Sequence, residues 1–169
     1  METGWQEPDT QRPLYDLIEL LFFAYRDFVG EADEVLSRFG FGRAHHRVLH
    51  FVDRNPGLRV RDLLEILKIT KQSLGRVLRQ LLDEGYVEAR PGDSDRREKL
   101  LFTTDKGAAL ARRLAALQSR RIEAALGTID PASRADVRSF LLHLVNDADR
   151  AAAAERIGSP DPGRGDGRR

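Results

Sequence analysis

The chain contains no cysteine. Disulfides, thiolate metal sites and thiol-based peroxide sensing are therefore excluded. Long apolar runs are missing too. The longest, Leu20 to Tyr25, is too short to cross a bilayer. The opening residues, METGWQEPDTQRP, carry no signal-peptide apolar segment, so a cytoplasmic location with no membrane partner is expected. No Gly-rich phosphate loop, nucleophile elbow or paired-carboxylate constellation occurs. No catalytic set can be assembled, and neither an enzyme nor a cofactor is expected. Net charge is nearly absent as well, at +1 over 169 residues. Bulk charge alone thus points to no partner.

The charge that exists is unevenly placed. Residues 1–42 carry a net −6, residues 43–106 a net +4 and residues 107–169 a net +3. Hydrophobic residues make up 41% and charged residues 33%, a globular mix sufficient for one domain with a real core. The acidic N-terminal part would face away from a polyanion. The basic centre is where one would be met.

That centre, Val60 to Gly107, has the order of a helix-turn-helix followed by a β-hairpin wing, a DNA-reading device. A short helix over 60–68 packs through Leu63, Leu64 and Leu67. The second helix is predicted over Lys71 to Glu84, with Thr70 as N-cap and Gly85 as its stop. Leu74, Val77, Leu78, Leu81 and Leu82 form its buried stripe. Gln72, Arg76, Arg79 and Asp83 occupy the other face, with Lys71 and Ser73 near the start, where backbone N–H groups favour phosphate. Gln reads adenine, Arg reads guanine, and Ser or Lys holds the backbone. Read in isolation, the same face is equally an ordinary solvated one. The hairpin supplies the context. Tyr86 to Arg90 and Arg97 to Thr103 are its strands and Pro91 to Asp95 its turn. Arg90, Arg96, Arg97 and Lys99 surround it with cations suited to a minor groove. Asp95, two residues before Arg97, is placed to hold that guanidinium. A charged hairpin that merely blunts a sheet edge is the plainer alternative.

Before this centre, the sequence predicts a mobile arm over 1–12 and a long helix over 14–39. Apolar residues beyond one stripe (Leu20, Phe22, Phe23, Ala24) widen the face of that helix, as in a subunit interface or a buried spine. A helix over 43–54 turns Ala44, Val48, Phe51 and Val52 inward and carries His45, His46 and His50. His46 and His50 have the spacing of a metal pair, but only His143 remains as a further histidine and no HExxH occurs. Polar surface is the plainer reading. After the wing, helices are predicted over 104–126, with Thr104 as cap, and over 131–152. A disordered tail is predicted over 155–169.

The run Asp95-Arg96-Arg97, continued by Thr104-Asp105-Lys106-Gly107, resembles the D-x-R and T-x-x-G wing signature of MarR-type regulators. Residues 64–73, LEILKITKQS, are similar to that family's helix-turn-helix core. Gly85-Tyr86-Val87 resembles the opening of its wing, and GRAHHRVLHFV (42–52) resembles a PetP-like branch of it. The likeness extends over about Leu14 to Asp149 and is strongest in the centre. Two positions depart from the pattern. Arg59 stands where Ser or Thr caps the first short helix, and Thr103 stands where Leu adds a core contact.

The resemblance implies a mostly α winged helix-turn-helix domain over 13–154, with a small β-hairpin wing and a DNA-reading core over 43–107. It would dimerise through its N- and C-terminal helices, 14–39, 104–126 and 131–152. The implied function is sequence-specific binding of pseudo-palindromic double-stranded DNA as a homodimer regulating transcription. Thr70, Lys71, Gln72, Ser73, Arg76, Arg79, Arg90, Asp95, Arg96, Arg97 and Lys99 would be the contact set. It also implies a small anionic or phenolic effector between dimer helices and DNA-binding lobes, for which Tyr25, His45, His46 and Arg47 are the candidates. The alternatives are a protein-interaction module on a winged-helix scaffold, or a metal- or haem-responsive regulator working through His45, His46 and His50.

Overall fold

We describe the protein from a computed structural model covering residues 13–92 and 95–158. The expected arm over 1–12, the hairpin-tip residues Asp93 and Ser94, and residues 159–169 of the expected tail lie outside the described residues. The elements are α1 (Tyr15–Ser37), α2 (Arg43–Arg54), β1 (Leu58–Arg59), α3 (Val60–Leu67), α4 (Lys71–Asp83), β2 (Val87–Pro91), β3 (Lys99–Thr103), α5 (Asp105–Leu126), a 3-10 turn (Pro131–Ser133), α6 (Arg134–His143) and α7 (Asp147–Gly158).

One core joins the C-terminal third of α1 to α2, α3, α4, the sheet and the first half of α5. Its fully enclosed side chains include Leu36, Val48, Leu49, Val52, Leu63, Leu81, Leu101 and Leu114. Helix α2 runs through the middle and packs on α1, α4 and α5. The rest of α1 is different. From Leu14 to Tyr25 its large apolar side chains lie exposed, Phe22 most of all at 68%. Helices α6 and α7 bury no residue, and Val137, Phe140, Leu141 and Leu144 stand open.

The wing belongs to a three-stranded antiparallel sheet in the order β1-β3-β2, with Leu58 opposite Leu101 and Val87 opposite Thr103. Sequence reading missed β1. At two residues it is too short to show an alternating period. It pairs because the turn before it brings Gly57 N–H to the Leu101 carbonyl at 2.8 Å. The two departures from the family pattern have structural uses. Arg59 contributes no side-chain cap to α3, as expected of a group with no acceptor. Instead, Asp62 accepts from the Arg59 backbone N–H at 3.3 Å, and the Arg59 guanidinium reaches Glu98 at the base of the wing, also at 3.3 Å. Thr103 exchanges an apolar contact for a hydrogen bond, donating to Asp53 of α2 at 3.0 Å.

The expected single helix over 131–152 is corrected. It is a 3-10 turn and two helices with a break at Leu144–Asn146. Acids at the start of α7, Asp147 and Asp149, suit a new helix N-terminus. Arg150 reaches back across the break, donating to the carbonyls of His143 (3.4 Å) and Val145 (3.2 Å) and pairing with Asp147. These are carbonyls that a helix end leaves without partners. Helix α7 also continues to Gly158, so residues 155–158 are helical rather than part of a disordered tail. The alanine run Ala151–Ala154, of the highest helix propensity, carries it there.

Candidate nucleic-acid interface

Helix α4 is fixed at both ends. The Thr70 hydroxyl accepts from the Ser73 backbone N–H at 3.1 Å and donates to the Ser73 hydroxyl at 2.9 Å. Thr70, expected as a contact, is thus first of all the cap. At the other end Gly85 takes the left-handed conformation, φ +72°, which glycine adopts without strain. Lys106 donates to the Glu84 carbonyl at 2.9 Å and lies over the Tyr86 ring. Leu74, Val77, Leu78 and Leu81 anchor the inner face in the core.

With the helix so held, Lys71, Gln72, Arg76 and Arg79 are exposed together. Gln72, Ser73, Gly75, Arg76 and Arg79 line one shallow groove along the helix. Gly75 has no counterpart among the expected contact residues. Its signal was a glycine inside a strongly periodic helical run. It is exposed, and an added Cβ would meet nothing within 4 Å. In a helix interior it costs about 1 kcal/mol relative to alanine.

Scaffold cations are engaged: Arg43 with Asp33 at 2.8 Å, Lys68 with Asp149 at 2.6 Å, and Arg121 with Glu31 at 2.5 Å. Among the described residues, Lys71, Arg76 and Arg79 of α4 and Arg96, Arg97 and Lys99 of the wing have no ion-pair partner. Arg90 differs from its neighbours. It pairs with Glu88 and stacks on the Phe102 ring at 4.3 Å, so it is held along the hairpin. Asp95 does not hold the Arg97 guanidinium. Its carboxylate accepts from the Arg97 backbone N–H at 2.9 Å, while its carbonyl accepts from Glu98 N–H at 3.0 Å. This is an Asx-type turn: the short Asp side chain reaches its own backbone two residues on more readily than a long, mobile guanidinium. Asp95 therefore shapes the wing, and Arg97 projects from it, exposed.

Of the four expected effector residues, Tyr25 lies on α1 and His45, His46 and Arg47 on α2. Tyr25 lies beside the Arg43 guanidinium, 5.8 Å from ring centre to Cζ. His45 is built into the scaffold. Its Nδ1 accepts from Gly42 N–H at 3.0 Å, so in the neutral ring Nε2 donates to Gln80 at 2.8 Å. Its ring also stacks on Phe41, at 4.7 Å. Arg47 is exposed and His46 half-buried. A cleft of about 880 Å³ opens between α2, α3 and α7, with apolar walls that include Phe51, Ile66 and Ile157 and a rim that includes His50, Lys68 and Arg156. Among the described residues, no group of three or more potential metal ligands assembles.

Burial lowers the pKa of His46 from 6.5, aided by His50, and partial desolvation together with Arg54 lowers that of His50. A depressed histidine pKa means the unfolded chain binds more protons below 6.5, so stability is full above that pH and falls as the solution acidifies through it. The urea midpoint is expected to drop between about pH 7.5 and about pH 5.5 by more in the native chain than in a His46→Gln, His50→Gln variant. An identical pH dependence in the two proteins would remove this account.

A MarR family profile matches residues 39–98. The chain is 45% identical over 141 residues to the HTH-type transcriptional regulator PetP of Rhodobacter capsulatus, an alignment covering 83% of this chain and 85% of PetP. The chain belongs to the MarR family. The fold of this MarR-family chain is shared by solved structures of much lower identity. Streptococcus pneumoniae FabT in complex with DNA is 19% identical, with a TM-score of 0.69 over 78% of this chain and 94% of FabT. The S. aureus MepR–DNA complex is 15% identical, with a TM-score of 0.61 over 79% of this chain and 97% of MepR. The MarR-family chain is accordingly a transcriptional regulator, and among the described residues no helix is long and apolar enough to cross a membrane.

Proposed function

We propose that this regulator binds double-stranded, pseudo-palindromic DNA in a sequence-specific way as a homodimer. The observation that carries the reading is the row of exposed Lys, Gln and Arg side chains on a capped, core-anchored α4, beside a wing whose exposed Arg96, Arg97 and Lys99 likewise have no ion-pair partner among the described residues. Each subunit lays α4 in a major groove, and Arg97 approaches the flanking minor groove. Lys71, Ser73, Arg96 and Lys99 serve phosphate, Gln72, Arg76 and Arg79 serve base edges, and Thr70, Arg90 and Asp95 hold the contact set in shape. Two-fold symmetry sets the two α4 helices about 34 Å apart, one turn of DNA. That FabT and MepR have been solved with DNA supports the reading for a chain of the same fold.

The test is fluorescence anisotropy with genomic fragments flanking the protein's own coding region, across a salt series. Arg97→Ala is expected to weaken binding about ten-fold and flatten the salt slope by about one ion. Arg76→Ala is expected to cost about 1–3 kcal/mol and relax sequence preference. Equal weak binding of native and variant proteins to every fragment would favour a protein-interaction role. In the same assay a panel of amphipathic carboxylates tests the cleft between α2, α3 and α7 as the effector site. Its apolar walls and the Arg54 and Arg156 side chains in its lining fit such ligands, and operator affinity unchanged across the panel would discard it.

A further inference from the structure

Three glycines contrast. Gly107 is required by packing, since its added Cβ would lie 1.9 Å from the Tyr86 carbonyl oxygen. Gly85 is required by backbone conformation, at φ +72°. Gly75 is required by neither. It sits in regular α-helix, on the exposed side, with open space around it, where alanine would make a better helix. The folded chain supplies no reason for it. Its surroundings do. Gly75 lies between Gln72 and Arg79 at i−3 and i+4, adjacent to Arg76, and shares one groove with all three. On this ridge of long polar side chains it is a notch where the helix backbone itself is the surface.

We propose that Gly75 sets the depth at which α4 enters the major groove. The notch receives the floor of the groove, so that Gln72 and Arg79 on either side reach base edges at hydrogen-bonding distance. A methyl at this position would stand the helix off by about the length of a C–C bond, 1.5 Å. That is enough to break contacts whose useful range is about 2.7–3.2 Å. The occupant is argued from charge. Lys71, Arg76 and Arg79 flank the notch without ion-pair partners among the described residues, and a polyanion satisfies all three. The inference rests on the DNA-reading role of α4 and adds a residue that acts by absence: Gly75 is a positioning residue and contacts no specific base.

The experiment compares the full-length native chain with Gly75→Ala and Gly30→Ala. Gly30 is the matching control, an exposed glycine in α1 with open space around it. Both variants are expected to raise the melting temperature by about 2–4 °C. Gly75→Ala alone is expected to weaken binding to the operator fragment at least ten-fold while changing the slope of affinity against salt by less than about one ion, because base-edge contacts have fixed geometry whereas Lys71, Arg96 and Lys99 follow the phosphates on long flexible stems. Gly75→Ala binding as tightly as the native chain overturns the proposal while leaving DNA reading intact. A salt slope flattened by about one ion or more also overturns it, since the loss would then be of phosphate contacts. If the native chain shows no saturable duplex binding, the reading of α4 fails and this inference falls with it.

Discussion

Gly107→Ala is expected to destabilise the protein by at least about 3 kcal/mol, and to leave too little folded chain at 37 °C for DNA binding to be measured. The added Cβ would stand 1.9 Å from the Tyr86 carbonyl oxygen and 2.8 Å from its carbonyl carbon. Both are backbone atoms, so no rotamer change relieves the overlap. The start of α5 would have to move away from the base of the wing. That separation would break the Thr104 N–H bond to Tyr86 (3.2 Å) and the Thr104 hydroxyl bond to Gly85 (2.7 Å). It would also disturb the Thr104 cap on Gly107 N–H (3.1 Å). A urea titration followed by circular dichroism checks this. A midpoint within experimental error of the native value would mean that α5 and the wing are not packed as described.

Leu21→Glu is expected to convert the proposed homodimer to monomers and to weaken operator binding at least about a hundred-fold, because two linked half-sites become one. Leu14, Leu17, Ile18, Leu21 and Tyr25 recur along one side of α1 and are all exposed in the single chain. Contiguous apolar surface of this kind marks an interface. Burying one leucine contributes about 1.5–3 kcal/mol, and burying an unpaired carboxylate in its place costs several more. The substitution therefore lowers dimer affinity about a thousand-fold or more. The core of the reading lobe begins at Val29, so the monomer keeps its helical circular dichroism. Sedimentation showing a native dimer at micromolar Leu21→Glu would refute this placement of the interface.

The parts of the fold legible in the sequence were those where local chemistry and long-range packing agree. Thr70 and Thr104 are caps by residue type, and each accepts from the backbone N–H three residues on. The stripe on α4 and the stop at Gly85 were equally plain. Leu49 was missed because the inward set Ala44, Val48, Phe51 and Val52 already filled an i, i+3, i+4 stripe, whereas the buried face of α2 extends one position further, to Leu49 beside Val48 and Val52. The break between α6 and α7 was missed because no proline or glycine marks it. It depends on Arg150 bonding to carbonyls five and seven residues back. Among the expected contact residues, the exposed row of α4 and the wing cations were readable from spacing. The partner of Asp95 was not, because backbone and guanidinium are equally near in sequence and only the turn geometry selects between them. The histidines misled in the same way. Spacing put His45 on a polar helix face, whereas the long-range contact to Gln80 makes it part of the scaffold.

The ion pair between Lys68 and Asp149 has a consequence for the order in which the molecule is made. Lys68 is a non-glycine residue in the left-handed conformation, at the turn between α3 and α4. Its partner lies 81 residues later in the chain. Among the described residues, every residue of the buried core falls between Val29 and Leu114, so the packing of the reading lobe needs no residue of α7. The turn must hold its shape until Asp149 arrives, and α7 docks onto a lobe whose core does not include it. What is added last with no buried residue is also what opens first. Native-state hydrogen exchange would therefore place α7 among the fastest amides of the chain and the interior of α2 among the slowest.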